Sequence, residues 1–181
     1  STLSSSSAAS DVYKRQVLGE HGDYNSGLVV KGFNDDNIKD LKYCENLPIH
    51  LTCDFNVDPM MWAVAHKDEE NVYFFDEIVV ENATTEMCIK EFIRRYPKKD
   101  AEIIINGDAS GDNRSTQSEY TNYATMRKVL RENGYTNFKF KLRDYNPPVL
   151  SRVAAFNARV RNSDGKVHLF AVSYTHLTLP T

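Results

Sequence analysis

The sequence has no apolar run approaching the ~20 residues that a membrane-spanning helix requires, so no part of it is expected to cross a bilayer. It has only three cysteines, Cys44, Cys53 and Cys88, in neither CxxC spacing nor even number. That excludes a disulfide scaffold and reads as buried thiols in a reducing, cytoplasmic compartment. Eight glycines and six prolines in 181 residues are too few for collagen or a low-complexity chain. The phosphate-binding pattern GxxxxGKS/T is missing as well. What is present, 41% hydrophobic and 26% charged residues, suffices for one globular domain.

The two ends stand apart from the rest. Residues 172–181 (VSYTHLTLPT) can be encoded by a DNA string whose reverse complement, in another frame, encodes residues 7–15 (SAASDVYKR). Two ends that are the two strands of one DNA sequence are identified as a translated transposase adapter. Residues 1–16 and 172–181 are therefore read as non-native, and the chain as an internal fragment. Residues 17–47 are rich in Gly, Asn and Asp without periodicity and read as a linker or the tail of a preceding domain. Residues 48–171 read as the folded domain.

Charge is distributed unevenly along that stretch. Residues 17–125 hold ten Lys and Arg against 21 acids, net −11, whereas residues 126–171 hold ten against three, net +7. A basic flank beside an acidic body is the pattern of a nucleic-acid-facing surface around an acidic site, and a solvated helix face gives the same count.

Turn residues punctuate the secondary structure. Ile49, Leu51, Cys53 and Phe55 alternate with His50, Thr52 and Asp54, the period of a strand with one apolar face. Residues 61–66 and 72–80 complete a three-strand meander around the turn-like KDEEN. Thr84 or Thr85 caps a helix whose Ile89, Phe92, Ile93 and Tyr96 share one face, and which ends at Pro97. Ile103, Ile104 and Ile105 form an unbroken apolar run, expected of a strand covered on both faces. A helix from about Ser118 stops at Gly134, and strand 137–142, helix 149–161 and strand 166–171 follow. The order predicts an α/β fold, a mixed β-sheet flanked by helices.

Two aspartates sit where a strand pattern least expects charge. Asp54 ends the first strand in LTCDFN, and Asp108 follows the buried isoleucines in IIINGDASG. If those strands are neighbours, both carboxylates emerge at one edge, where a bound Mg²⁺ or Mn²⁺ offsets their repulsion. Two such ions are the apparatus of phosphodiester hydrolysis. Gly107 is expected to leave room for a substrate backbone. Either aspartate alone also fits a strand-end turn.

Four segments, LTCDFNVDPMMWAVA, FFDEIVVENATT, IIINGDASGDNRST and NPPVLSRVAAFNARVRNSDGKVHLF, resemble in order and spacing the nuclease domain of large terminase subunits of tailed bacteriophages. The resemblance covers nearly all of residues 49–170. It implies an RNase H-like fold and a metal-dependent endonuclease that cuts concatemeric double-stranded DNA during packaging in the host cytoplasm. It further implies two Mg²⁺ or Mn²⁺ ions, with Asp54 and Asp108 as metal ligands and catalytic residues, and an ATPase domain preceding residue 17. Portal and small terminase subunit are the implied partners. The sequence departs from the family at Ser151, where an acid often stands. Asp144, Asn157, Asp164 and Glu77 are the candidate replacements; strand alternation puts only one of Glu77 and its neighbour Asp76 on the site-facing side, and Glu77 is the choice, a solvated strand edge being the other reading.

Arg114, in the loop after Asp108, together with Arg152 and Lys141, are candidate DNA-phosphate contacts. His50, His66 and His168 lie in predicted strands without ligand spacing and read as structural, and Trp62 reads as core. Other RNase H-like nucleases, such as a transposase or junction resolvase, and a catalytically inactive RNase H-like binding module are the alternatives.

Overall fold

A computed structural model of the chain describes residues 29–55, 58–107, 121–142 and 145–173. In chain order it contains a 3-10 turn (Asp35–Asn37), β1 (Ile38–Lys39), β2 (Ile49–Asp54), β3 (Met60–Lys67), β4 (Val72–Val80), α1 (Thr85–Arg95), β5 (Ile103–Gly107), α2 (Asn122–Glu132), β6 (Phe138–Leu142), α3 (Val149–Val160) and β7 (Leu169–Val172). The described residues fall into two compact units, a larger one within 42–67 and 74–146 and a smaller one within 29–41, 68–73 and 147–173.

The larger unit is built on a mixed sheet in the order β4-β3-β2-β5-β6. β2 pairs antiparallel with β3 and parallel with β5, which in turn pairs parallel with β6. Alternation decides the faces. Ile49, Leu51 and Cys53 are buried on one side of β2, and their cross-strand partners Val64, Trp62, Ile103 and Ile105 are buried with them. Helices α1 and α2 cover that face with Cys88, Ile89 and Phe92 from the first and Tyr123, Met126 and Leu130 from the second, all buried. The unbroken isoleucines of β5 occupy an interior position between β2 and β6, so Ile104 is buried as well, on the other face.

Local chemistry sets the helix ends. Thr84 caps α1, its hydroxyl oxygen accepting from the Met87 N–H, while Glu86 opens the first turn and Arg94 and Arg95 close the last. The helix expected from about Ser118 begins at Asn122, because Thr121 takes the capping position and accepts from the Ala124 N–H at 3.2 Å. It stops at Gly134, whose φ of +83° only glycine adopts without strain. The two helices are tied at their starts by the Thr85 hydroxyl, which donates to Asn122 Oδ1 at 2.7 Å.

In the smaller unit, β1 pairs parallel with β7, and the Val72 N–H at the start of β4 donates to the His168 carbonyl at 2.9 Å. Part of residues 17–47, expected as a linker or the tail of a preceding domain, is thus tied into this unit. Asn37 explains how: its buried amide donates to the carbonyls of Val160 and Leu169 and accepts from the Asn34 N–H, joining the 3-10 turn to the end of α3 and to β7. The last strand begins at Leu169 rather than Lys166. Asn162 Oδ1 accepts from the N–H groups of Asp164 and Lys166 and holds that stretch in a turn.

Candidate active site

Asp54 is exposed at the end of β2, on the opposite face from Ile49, Leu51 and Cys53. Register places its neighbours. Met61 pairs directly with Asp54 across β3, and Thr52, two residues back on the same face, pairs with Asn106 of β5, which pairs with Lys141 of β6. One face of the larger unit thus carries Asp54, Thr52, Asn106 and Lys141, and β2 and β5 run in the same direction to end at the same edge. Asp108, the residue after the end of β5, and Arg114 lie outside the described residues, as does Asp144. Among the described residues no group of three or more His, Cys, Asp or Glu side chains is assembled to hold a metal ion.

Glu77 and Asp76 part ways as alternation requires. Asp76 is saturated by Arg95 Nη1 at 3.0 and 3.1 Å, by the Tyr96 hydroxyl, and by the Glu77 N–H at 2.8 Å. Burial, and then the hydrogen bond to Asp76, push the Tyr96 phenol far above its ordinary pKa. Glu77 is half-buried, and its carboxylate makes no hydrogen bond among the described residues.

Two sequence expectations, for Gly107 and Cys44, are corrected by the packing. Gly107 does not open space for a ligand on its Cβ side: a side chain there would meet Tyr123, whose Cζ lies 2.9 Å from the Cβ position. Cys44 is exposed, so only Cys53 and Cys88 are buried thiols, with burial raising the pKa of Cys53 and pushing Cys88 to about 11. Such thiols are poor nucleophiles. Asn157 is occupied elsewhere, accepting from the Lys31 N–H at 2.7 Å and donating to the Val29 carbonyl at 2.9 Å. Asp164 stands exposed in the turn held by Asn162.

Ser151 and Arg152 are both exposed in the first turn of α3, in the smaller unit. Lys141 is exposed, and its ammonium makes no ion pair among the described residues. The histidines behave as structural groups. His66 is buried with Nδ1 2.9 Å from the Pro48 carbonyl and Nε2 accepting from the Cys44 N–H at 2.9 Å, and burial lowers its pKa. His50 is lowered by burial and then by Lys67 and Lys141, the latter on its own sheet face. His168 faces Asn71 Oδ1 at 3.3 Å. Trp62 is core at 1% exposure. Sequence reasoning missed Thr52 and Asn106 as neighbours of Asp54, since only the β2/β5 register brings them together.

No family model and no curated sequence matches the chain. Solved structures do. The large terminase of a thermophilic bacteriophage superposes with a TM-score of 0.52 at 12% identity, covering 94% of this chain and 41% of that one. The P22 large terminase nuclease domain gives 0.54 at 10% identity, covering 82% of this chain and 73% of that one. The nuclease domain of the SPP1 large terminase, solved with bound Mn, gives 0.41 at 15% identity over 72% of this chain and 62% of that one. The chain spans about two fifths of the thermophilic phage protein. Its mixed sheet with flanking helices is the RNase H-like fold of large terminase nuclease domains.

Proposed function

We propose that the chain is the nuclease portion of a phage DNA-packaging terminase large subunit, a divalent-metal-dependent endonuclease that cuts concatemeric double-stranded DNA. One observation carries the reading. Asp54 closes β2, and the adjacent parallel strand β5 ends at Gly107, the residue before Asp108. Successive Cα atoms are about 3.8 Å apart, so chain continuity supports Asp108 standing at the edge where Asp54 stands.

The donor chemistry fits Mg²⁺ or Mn²⁺, which select hard carboxylate oxygens. Asp54 and Asp108 would hold the metal, and Glu77, whose carboxylate makes no hydrogen bond among the described residues, is the proposed third acid in place of Ser151. Two such ions, when bound, supply an activated water and charge stabilisation at the leaving oxygen. The chain's own residues hold the substrate: Lys141 on the Asp54 face, with Arg114 and Arg152, contacts phosphates and makes binding depend on salt. In the whole protein the proposed neighbours are an ATPase domain, the portal and the small terminase subunit, and the proposed setting is the host cytoplasm.

Incubation with supercoiled plasmid tests the reading. Nicking in Mg²⁺ or Mn²⁺ that stops in EDTA supports it, and cleavage that persists in EDTA contradicts the metal mechanism. Calorimetric titration with Mn²⁺ distinguishes a nuclease from a catalytically inactive RNase H-like module, which takes up no ion specifically.

A further inference from the structure

A groove of about 420 Å³ runs along the edge strand β6 and is lined by Arg127, Arg131, Tyr135, Phe138, Lys139 and Phe140. Phe138 and Phe140 pair with Ile103 and Ile105, which sets them on the helix-covered face of the sheet. Arg127 and Arg131, one helical turn apart on α2, form the opposing wall. Among the described residues, no Asp or Glu lines the groove. The two arginines are exposed and form no ion pair among the described residues, whereas their neighbour Lys128 reaches Glu132 at 3.9 Å and Lys139 reaches Glu102 at 2.6 Å. The Arg127 guanidinium instead sits over the Phe140 ring, 4.8 Å from its centroid, an arrangement that orients the group without neutralising it.

We infer that this groove grips the sugar-phosphate backbone of DNA at a second place, away from the Asp54 edge. The inference rests on the nuclease reading above. Asp54 lies on the opposite sheet face, so the groove is a separate contact. Charge complementarity names the occupant. Lys139, paired with Glu102, and Lys141, without an ion pair among the described residues, stand on one face of β6 and Arg127 and Arg131 flank the other, so a polyanion turning around this edge meets an uncompensated cation on each face. All four belong to the stretch of residues 126–171 with net charge +7. Guanidinium groups match phosphate oxygens in pairs, which a flexible ammonium does not.

Fluorescence anisotropy of a labelled duplex with the full chain tests this, in EDTA and over roughly 50–200 mM salt. The Arg127→Ala/Arg131→Ala double variant is expected to bind about tenfold more weakly, with the slope of log K against log salt reduced by about 1.8, two contacts at about 0.9 each. Lys128→Ala, paired on the same helix, leaves both values in place. An unchanged affinity and slope in the double variant overturns the inference. So does poly-glutamate that binds the wild type more tightly than DNA and loses that binding in the double variant, which assigns the groove to an acidic protein. Self-association of the double variant with intact DNA binding overturns it too, and makes the arginines guards of an edge strand. EDTA removes cleavage from the readout, so loss of nicking in Asp54→Asn with DNA binding retained bears on the nuclease reading alone.

Discussion

Tyr123 occupies the space that a side chain on Gly107 would need: its Cζ lies 2.9 Å from the Cβ position, and its hydroxyl is closer still. The ring is held there edge-on to Phe55 at 5.2 Å and Phe140 at 5.6 Å, so it has little freedom to withdraw. Gly107→Ala is therefore expected to lower stability by about 1–3 kcal/mol, the usual cost of overpacking. Urea denaturation checks this. The double change Gly107→Ala/Tyr123→Leu should cost less than the sum of the single changes, because the two residues share one space. Strict additivity would contradict the packing.

The Asp76 cluster is a second stability test. Arg95, Tyr96 and a backbone N–H all converge on one carboxylate that is 14% exposed. Asp76→Ala leaves the Tyr96 phenol without its acceptor and takes one carboxylate from Arg95, which keeps the Glu91 carboxylate and the Glu77 carbonyl, and should cost about 1–3 kcal/mol. A cycle with Arg95→Met should show a coupling of at least about 0.5 kcal/mol. No coupling would mean that the contacts are incidental.

Stability should also depend on pH through His66. Its two ring nitrogens are matched to a carbonyl and to an N–H, an arrangement that only the neutral ring satisfies, and burial holds its pKa below the ordinary value of about 6.5. A lowered folded pKa gives stability that is complete above about pH 6.5 and lost as the pH falls through the folded value. Urea midpoints measured across this range should fall on the acid side. His66→Leu should flatten the fall, leaving the part owed to His50, while costing about 1–3 kcal/mol for two unpaired backbone groups. An unaltered pH profile in His66→Leu would refute the assignment.

Lys141 offers a test of the Asp54 face as a DNA surface. It is exposed, on the same face as Thr52 and Asn106, and without an ion-pair partner among the described residues. Lys141→Ala should weaken DNA binding evenly across sequences and reduce the salt slope by about 1. An unchanged slope removes Lys141 from the interface.

Much of this was legible in the sequence, for physical reasons that differ by element. The alternation through Ile49, Leu51 and Cys53 announced β2 and its faces, and the run Ile103–Ile105 announced an interior strand, because burial on one or two faces writes directly into local pattern. Thr121 was passed over as the start of α2 because capping competes among several nearby hydroxyl residues. β1 was invisible: two residues carry no period, and the group that fixes it, the Asn37 amide, works through carbonyls more than 120 residues away. Gly107 was misread because the Tyr123 ring that needs it arrives from another element. The face shared by Asp54, Asn106 and Lys141 depends on register, which no local pattern encodes.

The most direct test is the rate of plasmid cleavage in Mn²⁺ by the wild type, Asp54→Asn and Asp108→Asn at matched folding. Removing a group that merely orients a metal ligand costs about 10–100-fold, so losing a ligand itself should cost each variant at least about 100-fold, with DNA binding in EDTA retained. Wild-type rates in either variant would contradict a shared metal centre at the ends of β2 and β5.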